Sequence, residues 1–220
     1  MWSYNPQRNQ DAMPAPEKRR TQAERIEATE EAMYVAAIKL IARDGPNKMT
    51  LASLGKEAGV SPGLVNHRFG SKNKLLQATC MRVLEEWTDM LRESAVGHSD
   101  SSIETLKSMC RFYLDSVVKR SDLMLAQSRL MSEGRSLIPE LRTTFREYNR
   151  QISDMIIELL ESGRKTGEVN ADLDLRSFSY MCIGMLRGIG SLHLIDKTVD
   201  IDAAYDMVTS TCTRVLSART

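Results

Sequence analysis

Apolar residues recur at helical spacing along almost the whole chain, and no stretch alternates apolar and polar positions as a β-strand does. Proline, glycine and capping residues divide this pattern into segments of helical length. The sequence therefore predicts an all-α fold with nine helices, three in front and six behind. The predicted helices cover about 21–43, 51–58, 62–69, 72–94, 102–119, 122–134, 139–165, 175–195 and 201–218.

The stretch from Thr50 to Lys72 (TLASLGKEAGVSPGLVNHRFGSK) predicts two short helices around a tight turn. Thr50 and Ser61 suit the N-caps, because their hydroxyls can accept a bond from a free backbone N–H. Gly59 supplies a left-handed residue that ends the first helix. Val65 and Phe69 are four apart, so they share the buried side of the second helix. The other residues of that helix are expected to point wholly or partly outward: Pro62, Gly63, Leu64, Asn66, His67 and Arg68.

A short helix with polar and basic residues on its free face is typical of a helix-turn-helix, whose second helix enters the major groove of DNA. The order cap, Leu, Leu, Ala, Gly, Val, Ser, followed by Phe-Gly-Ser-Lys, resembles the DNA-binding domain of the TetR family of one-component repressors. The resemblance is specific over about residues 24–76, and VSPGLVNHRFGSK is closest to the choline–betaine regulator subgroup. It implies the nine-helix TetR-type architecture. It also implies a ligand-responsive regulator, a repressor released from a palindromic operator by a small molecule.

The resemblance also implies a role in DNA binding for particular residues. Hydroxyls and helix N-termini bind phosphate oxygens, an Asn amide can pair with adenine, and a leucine can contact a thymine methyl group. Phosphate contacts are expected from Thr50, Ser61, His67 and Lys72, and base contacts from Pro62, Gly63, Leu64 and Asn66. The alternative for this surface is an ordinary three-helix core with a polar outer face.

Two positions depart from the family pattern, and one basic triplet precedes it. Gly55 stands where Ala is common, and Arg68 stands where an aromatic residue is frequent and could add a phosphate contact. Lys18, Arg19 and Arg20 directly precede the first helix. They are either the solvated start of that helix or an arm that reaches the DNA backbone or minor groove.

Composition and charge divide the chain into three parts. Residues 1–17 are polar, contain three prolines and are predicted to be disordered. Residues 18–74 form the predicted DNA-binding domain, and residues 75–220 the predicted ligand-binding and dimerisation domain. Residues 1–74 hold 12 Lys and Arg against 8 Asp and Glu, whereas residues 75–220 hold 18 against 21. A basic front suits contact with phosphate at one end only, although the net charge is just +1.

The rear domain is predicted to form a homodimer through the helix at 175–195. Its apolar surface is wider than one core-facing stripe, and it contains Gly184, Gly188 and Gly190, which the close approach of a second helix would explain. The alternative is the fully buried helix of a monomer. The residues expected at the dimer interface are Phe178, Met185, Gly188 and Leu192.

A small-molecule cavity is predicted between the fifth and eighth helices. Methionine adapts to irregular apolar spaces, so a Met-rich lining would suit an apolar or amphipathic ligand, although plain core is the alternative for most of these residues. The expected lining is Met109, Phe112, Tyr113, Met124, Met131, Met155 and Met181. Arg111, Arg129 and His193 could orient a polar end. No obvious aromatic box for a quaternary ammonium is apparent.

Other classes of function find little support in the sequence. It has no paired carboxylates, phosphate loop or nucleophilic triad at a recognisable spacing, and its three histidines are scattered, so we expect neither an enzyme, a cofactor nor a metal site. The four cysteines form no Cys-x-x-Cys pair and are expected to be reduced, buried thiols. No apolar run was found to reach the roughly 18 residues of a membrane span. Without a signal layout either, a cytoplasmic location is expected. A helical module that binds protein instead of DNA stays open.

Overall fold

The structure is a computed structural model that describes residues 21–95, 100–119, 121–134, 136 and 138–217. Within these residues the fold is all-α and contains nine α-helices, which confirms the predicted class. The helices are α1 (Gln22–Asp44), α2 (Leu51–Ala58), α3 (Pro62–Phe69), α4 (Lys72–Glu93), α5 (Ser102–Lys119), α6 (Asp122–Arg129), α7 (Leu141–Lys165), α8 (Leu175–Ile195) and α9 (Ile201–Leu216). The predicted disordered tail at residues 1–17 and the basic triplet Lys18, Arg19 and Arg20 lie outside the described residues.

The helix ends follow local capping chemistry. The side chain of Thr21 accepts a bond from the backbone of Glu24, whose own carboxylate accepts from the Thr21 N–H, so α1 begins with a capping box. Asp174 and Asp200 cap α8 and α9: the Asp174 carboxylate accepts from the backbone N–H groups of Arg176 and Ser177, and the Asp200 carboxylate accepts from that of Ala203. These caps explain why most predicted helix starts were correct to within one or two residues.

Two segments differ from the predicted helices. The sixth helix does not continue regularly to residue 134, because its last turn widens into a π-helical segment at Leu130–Gly134. The seventh begins at Leu141 instead of residue 139, since Pro139 lies in the preceding turn.

The turn after α7 is tied to the end of α9. Asn170 donates its backbone N–H to the carbonyl of Leu216, next to a bridge between Val169 and Ser217.

One continuous cluster of buried apolar side chains joins the front and rear helices. α1 packs against α2 and also against α6, and α4 runs from the front helices into the rear, where it contacts α5, α6 and α7. The predicted domain border after residue 74 falls in the first turn of α4 and stays a prediction.

A long-range cap fixes the start of α5. The carboxylate of Glu168, which follows α7, accepts bonds from the backbone N–H groups of Ser102 at 2.8 Å and Ile103 at 3.3 Å. It also accepts from the Ser101 hydroxyl. A negative side chain at a helix N-terminus satisfies free donors and complements the helix dipole. The cap therefore ties α5 to the end of α7.

Candidate functional site

The second short helix, α3, is held from behind by two side chains. Val65 is 0% exposed and Phe69 is buried with its ring edge against Tyr34, at 5.9 Å between ring centres. Ser61 accepts a bond from the backbone N–H of Leu64 at 3.2 Å, and Pro62 occupies the first helical position. Gly59 has φ +70°, the left-handed conformation that lets α2 end and the chain turn into α3. The turn predicted from the sequence is therefore formed.

The opposite side of α3 faces solvent. α3 packs mainly against α2 and α4, and its outward residues are exposed. Leu64 is 42% exposed. The residues that share this free surface are Pro62, Gly63, Leu64, Asn66, His67 and Arg68. We call this set the α3 face.

Thr50 and Ser61 lie at the helix starts beside the α3 face. The Thr50 hydroxyl accepts from the backbone N–H of Ser53 at 3.0 Å, so it caps α2 as Ser61 caps α3. Both residues are exposed at positions where free backbone N–H groups point outward. The local geometry therefore fits the phosphate contacts that the sequence predicts for them.

Two predicted DNA-binding cations are engaged within the chain. Arg68 forms an ion pair with Glu30 of α1, at 2.6 Å between Nη2 and Oε2. Lys72 donates its ammonium to the backbone carbonyl of Asn47, in the connection between α1 and α2. Arg68 would have to share or release its carboxylate partner in order to contact phosphate, whereas Lys72 keeps further N–H donors.

Gly55, the departure from the family pattern, has a steric reason. A Cβ atom at this position would lie 2.9 Å from the carbonyl oxygen of Val60 and 3.2 Å from the nitrogen of Pro62. The turn between α2 and α3 thus closes onto the α2 backbone more tightly than a side chain at residue 55 would permit.

A partly open cavity of about 320 Å³ lies in the rear half, between α4, α5, α6, α7 and α8. This volume is at the lower end of the roughly 300–1,000 Å³ that is usual for small-molecule sites. Four of the residues predicted to line a cavity do so, namely Met109, Tyr113, Met124 and Met131. Three do not: Phe112 packs on Trp87 at 5.6 Å between ring centres, Met155 packs on the core, and Met181 is exposed.

The polar groups of this cavity are not the ones that the sequence suggested. Arg111 pairs with Asp115 and Asp202 on the outside of the fold, Arg129 lies beside Gly45, and His193 bonds to the carbonyl of Val199. None of these three lines the cavity. These residues are near the lining residues in sequence, but nearness in sequence does not determine on which side of a helix a residue lies.

Arg187 of α8 is the arginine that lines the cavity. It donates from Nη1 to the Asn149 side-chain oxygen at 2.7 Å, and its guanidinium lies 5.7 Å from the centre of the Tyr148 ring. Tyr148 in turn accepts a bond from Gln127 at 2.8 Å. α8 carries two arginines, and Arg187 lies in its apolar middle, whereas Arg176 lies in its first turn and pairs with Asp154.

Four aromatic residues also line the cavity, while the expected lack of an aromatic box for a quaternary ammonium stays a prediction. Trp87, Tyr113, Phe145 and Tyr148 come from α4, α5 and α7. Trp87 and Tyr113 meet edge to face, at 6.0 Å and 90°. The sequence could not show this group because its members are separated by up to about 60 positions and meet only in the folded chain.

Comparison with known proteins assigns the two halves of the chain. Residues 34–79 match the family model described as "Bacterial regulatory proteins, tetR family", and residues 99–191 match the model described as "Tetracyclin repressor-like, C-terminal domain". The chain belongs to the TetR family. The first model covers α2, α3 and their supporting helices, and the second covers most of the cavity lining.

Three relatives illustrate the extent of the likeness. The HTH-type transcriptional regulator BetI of Brucella anthropi is 38% identical over 74 residues, which span 34% of this chain and 38% of that protein. A TetR regulator of Chloroflexus aurantiacus superposes with a TM-score of 0.78 at 19% identity, over 87% of this chain and 97% of its own. A transcriptional regulator of Saccharomonospora viridis in complex with choline gives 0.73 at 19%, over 88% and 100%. At such identities the structures show a shared TetR fold.

The outer side of α8 carries exposed apolar side chains in this TetR-family chain. By length and mean hydropathy alone, Leu175–Ile195 would suffice to cross a membrane. This corrects the expectation that no segment is long and apolar enough. Of the 18-residue window used for the mean hydropathy, 28% is buried within the fold. Leu192 is 58% exposed and Ile195 86%, and on α9 Met207 is 68% exposed. We call Leu192, Ile195 and Met207 together the α8–α9 face.

The four predicted dimer residues lie on different sides of α8. Leu192 and Gly188 are exposed, and a Cβ at Gly188 would meet nothing within 4 Å. Met185 is half-buried, whereas Phe178 is buried in the protomer core and cannot reach a partner there. Gly190 faces inward, where a Cβ would approach Val117 at 3.1 Å. Its close neighbour is therefore α5 of the same protomer.

Three buried thiols meet where α5, α8 and α9 pack. The Sγ atoms of Cys110 and Cys182 are 4.0 Å apart, and Cys212 hydrogen bonds to Cys182. The bond to Cys110 and burial raise the pKa of Cys182 well above its ordinary value, and burial alone raises the pKa of Cys80 to about 12. Since the thiolate is the reactive form, these groups are chemically quiet.

Proposed function

We propose that the chain is a ligand-responsive DNA-binding transcriptional regulator, a repressor that a small apolar or amphipathic molecule releases from a palindromic operator. The observation that carries this proposal is the α3 face, whose polar residues are exposed while Val65 and Phe69 fix the helix from behind. α3 is a capped α-helix, and an α-helix with its side chains, about 10–12 Å in diameter, fits the roughly 12 Å width of the major groove.

The α3 face offers different chemistry to bases and to phosphates. Asn66 has both a donor and an acceptor for a base edge, and exposed Leu64 can contact a thymine methyl. Gly63, where a Cβ would meet only the Ser61 hydroxyl oxygen within 4 Å, at 3.9 Å, lets the helix backbone approach the groove. Thr50, Ser61, His67 and Lys72 surround it as phosphate contacts. We assign DNA binding to residues 18–74, with Lys18, Arg19 and Arg20 as an arm.

Dimerisation follows from the same proposal. Two half-sites about one helical turn apart need two reading heads related by a twofold axis. The α8–α9 face supplies an uncovered apolar surface on the rear half, which we assign, with residues 75–220, to dimerisation and effector binding. The regulator would act in the cytoplasm without catalysis.

Two contacts could transmit effector binding to the DNA-binding helices. α4 contributes Trp87 and Leu91 to the cavity and begins directly after α3. The π-helical segment contributes Met131 to the cavity, while its Glu133 lies against Gly45 at the end of α1. A ligand that binds one arrangement of these helices more tightly than the other would change the spacing of the two α3 faces.

Selection from a random DNA duplex library tests the proposal. The full chain should enrich sequences with an inverted repeat whose half-site centres lie about 10 base pairs apart. Enrichment no greater than that given by a mock selection would overturn DNA reading and would favour a helical module that binds protein. Enrichment of sequences without an inverted repeat would contradict the dimeric mode.

A further inference from the structure

The lining of the rear cavity carries one charge. Among the described residues that line it, Arg187 is the only Arg or Lys, and no Asp or Glu is present. Burial raises the pKa of the Tyr113 and Tyr148 phenols, so both stay neutral. The remaining polar groups are amides and hydroxyls, from Gln127, Ser128, Ser132, Asn149 and Ser191. The cavity is therefore an apolar space with a single positive group.

The Arg187 guanidinium has no counter-ion in the described part of the chain. No ion pair there includes it, whereas Arg111 and Arg176 are each paired with a carboxylate. One of its five N–H donors is used by Asn149. Its other close companion is Tyr148, through both the ring and the phenol oxygen. A half-buried cation whose partners are all neutral is stabilised further by an anion that accepts its remaining hydrogen bonds.

The same arrangement disfavours a cationic ligand. The Arg187 guanidinium already lies over the ring of Tyr148, and Trp87 is engaged edge to face with Tyr113. An ammonium group would therefore compete for aromatic faces and would lie close to a like charge, with no carboxylate in the lining to offset it. The aromatic residues serve better as apolar walls for an uncharged ligand body.

A basic groove adjoins the cavity. It shares Phe145 and Asn149 with the cavity lining and is flanked by Arg142 and Arg146 of α7, both exposed and neither in an ion pair among the described residues. Charges of one sign along a cleft raise the local concentration of oppositely charged ligands. On this side, the groove and the interior favour the same sign of ligand, whereas the groove that meets the cavity at Tyr148 carries Glu85, Asp89 and Glu147.

We propose that the effector is an anionic amphipathic molecule whose carboxylate pairs with Arg187, while its apolar body lies along Trp87, Phe145 and the methionines. The role of this molecule as an effector rests on the proposed regulatory function. Its binding to the cavity does not, because that binding can be measured on the protein without DNA. It names a ligand class opposite in charge to choline.

Three ten-carbon probes that differ in the head group test the preference directly. Decanoate, 1-decanol and decylammonium are titrated into the full chain by calorimetry below their aggregation limits. Decanoate is expected to bind at least about 10-fold more tightly than either of the others, because a charge-assisted bond to a partly desolvated guanidinium is a strong one. Equal binding of the three probes, tighter binding of decylammonium, or no binding of decanoate would overturn the proposal.

Substitutions locate the effect at Arg187. Arg187→Gln should weaken decanoate binding about 10- to 100-fold and leave decanol binding within about 2-fold, while Arg187→Lys should retain part of the preference. Arg111→Gln is the matched control, since it removes an arginine of the same half of the protein that lies outside the cavity. A loss of decanoate binding in Arg111→Gln equal to that in Arg187→Gln would contradict the assignment.

The outcomes separate this proposal from the regulatory one. Binding of decanoate with failure to select any DNA sequence would leave the anion site intact and overturn the regulator. Selection of an operator, with decanoate binding no more tightly than decanol, would support the regulator and overturn the anion site. If the chain both selects an operator and binds decanoate preferentially, then decanoate, and not decylammonium, should lower the affinity of the chain for the operator.

Discussion

Leu192→Ala tests whether the α8–α9 face is where two copies meet. Leu192 is 58% exposed in the single chain, so a partner could still cover that fraction of its side chain. The substitution removes three carbons, which at about 0.8 kcal/mol per buried CH₂ and with only the exposed fraction counted is about 1.4 kcal/mol per protomer. A twofold interface uses the residue twice, so the dimer should lose about 2.8 kcal/mol.

That loss corresponds to a roughly 100-fold rise in the dimer dissociation constant. Sedimentation velocity over a concentration series measures it, because the fraction of dimer is read at each total concentration. Leu64→Ala is the matched control: it is the same substitution at an exposed leucine, 42% exposed, on the α3 face. Its dimer dissociation constant should equal that of the unaltered chain.

Two results would refute this reasoning. If the unaltered chain sediments as a monomer at every concentration, the α8–α9 face is not a dimer interface. If Leu192→Ala and Leu64→Ala dissociate alike, the interface lies elsewhere. The predicted dimer residue Phe178 offers no comparable test, since its burial in the protomer means that its removal would damage the core itself.

The remaining predictions concern side chains inside the protomer. Cys80 and Cys182 should react with iodoacetamide at least about 100-fold more slowly in the folded chain than in denaturant, and equal rates would contradict their raised pKa values. Hydrogen bonds from Ser177 lower the pKa of Asp174, so its stabilisation is present above about pH 4 and lost as the pH falls. In urea unfolding, the free energy of unfolding should therefore fall less for Asp174→Asn than for the unaltered chain between about pH 6 and pH 3. Equal falls would show that this cap does not contribute to the pH dependence of stability. Glu168→Gln should lower the free energy of unfolding by about 1 kcal/mol, and no change would show that the α5 cap contributes nothing.

The helix-turn-helix could be predicted because its determinants are local. Ser61, Pro62 and Gly59 set the helix ends through their own backbone preferences, and the four-residue spacing of Val65 and Phe69 sets the buried side. Each of these effects acts within about ten residues. The sequence alone therefore carries the orientation of the α3 face.

The cavity could be predicted only in part, because five helices form it. Met109 and Met131 were found from composition and period, but Arg187 and Asn149 meet across 38 positions, from α8 and α7. The side of α8 on which a residue lies depends on packing that a single helix period leaves open. Gly188 and Gly190 show this: two positions apart, one faces open space and the other faces α5.

The π-helical end of α6 also escaped prediction. Residues 122–134 have a continuous helical period, and nothing in their composition marks the change at Leu130. The widened turn brings Met131 and Ser132 to the cavity. Such single-turn insertions are frequent at functional sites, which agrees with a place beside the effector.

The central claim is that the α3 face reads the base sequence of DNA, and Asn66→Ala tests it most directly. Anisotropy titrations at two salt concentrations should be made with the selected operator and with random duplex. Because Asn66 is exposed and its loss removes a base contact, operator affinity should fall about 5- to 150-fold while random-duplex affinity stays within about 2-fold. Lys72→Ala, the phosphate control, should weaken both and flatten the salt dependence. Equal losses on the two duplexes for Asn66→Ala would contradict the claim.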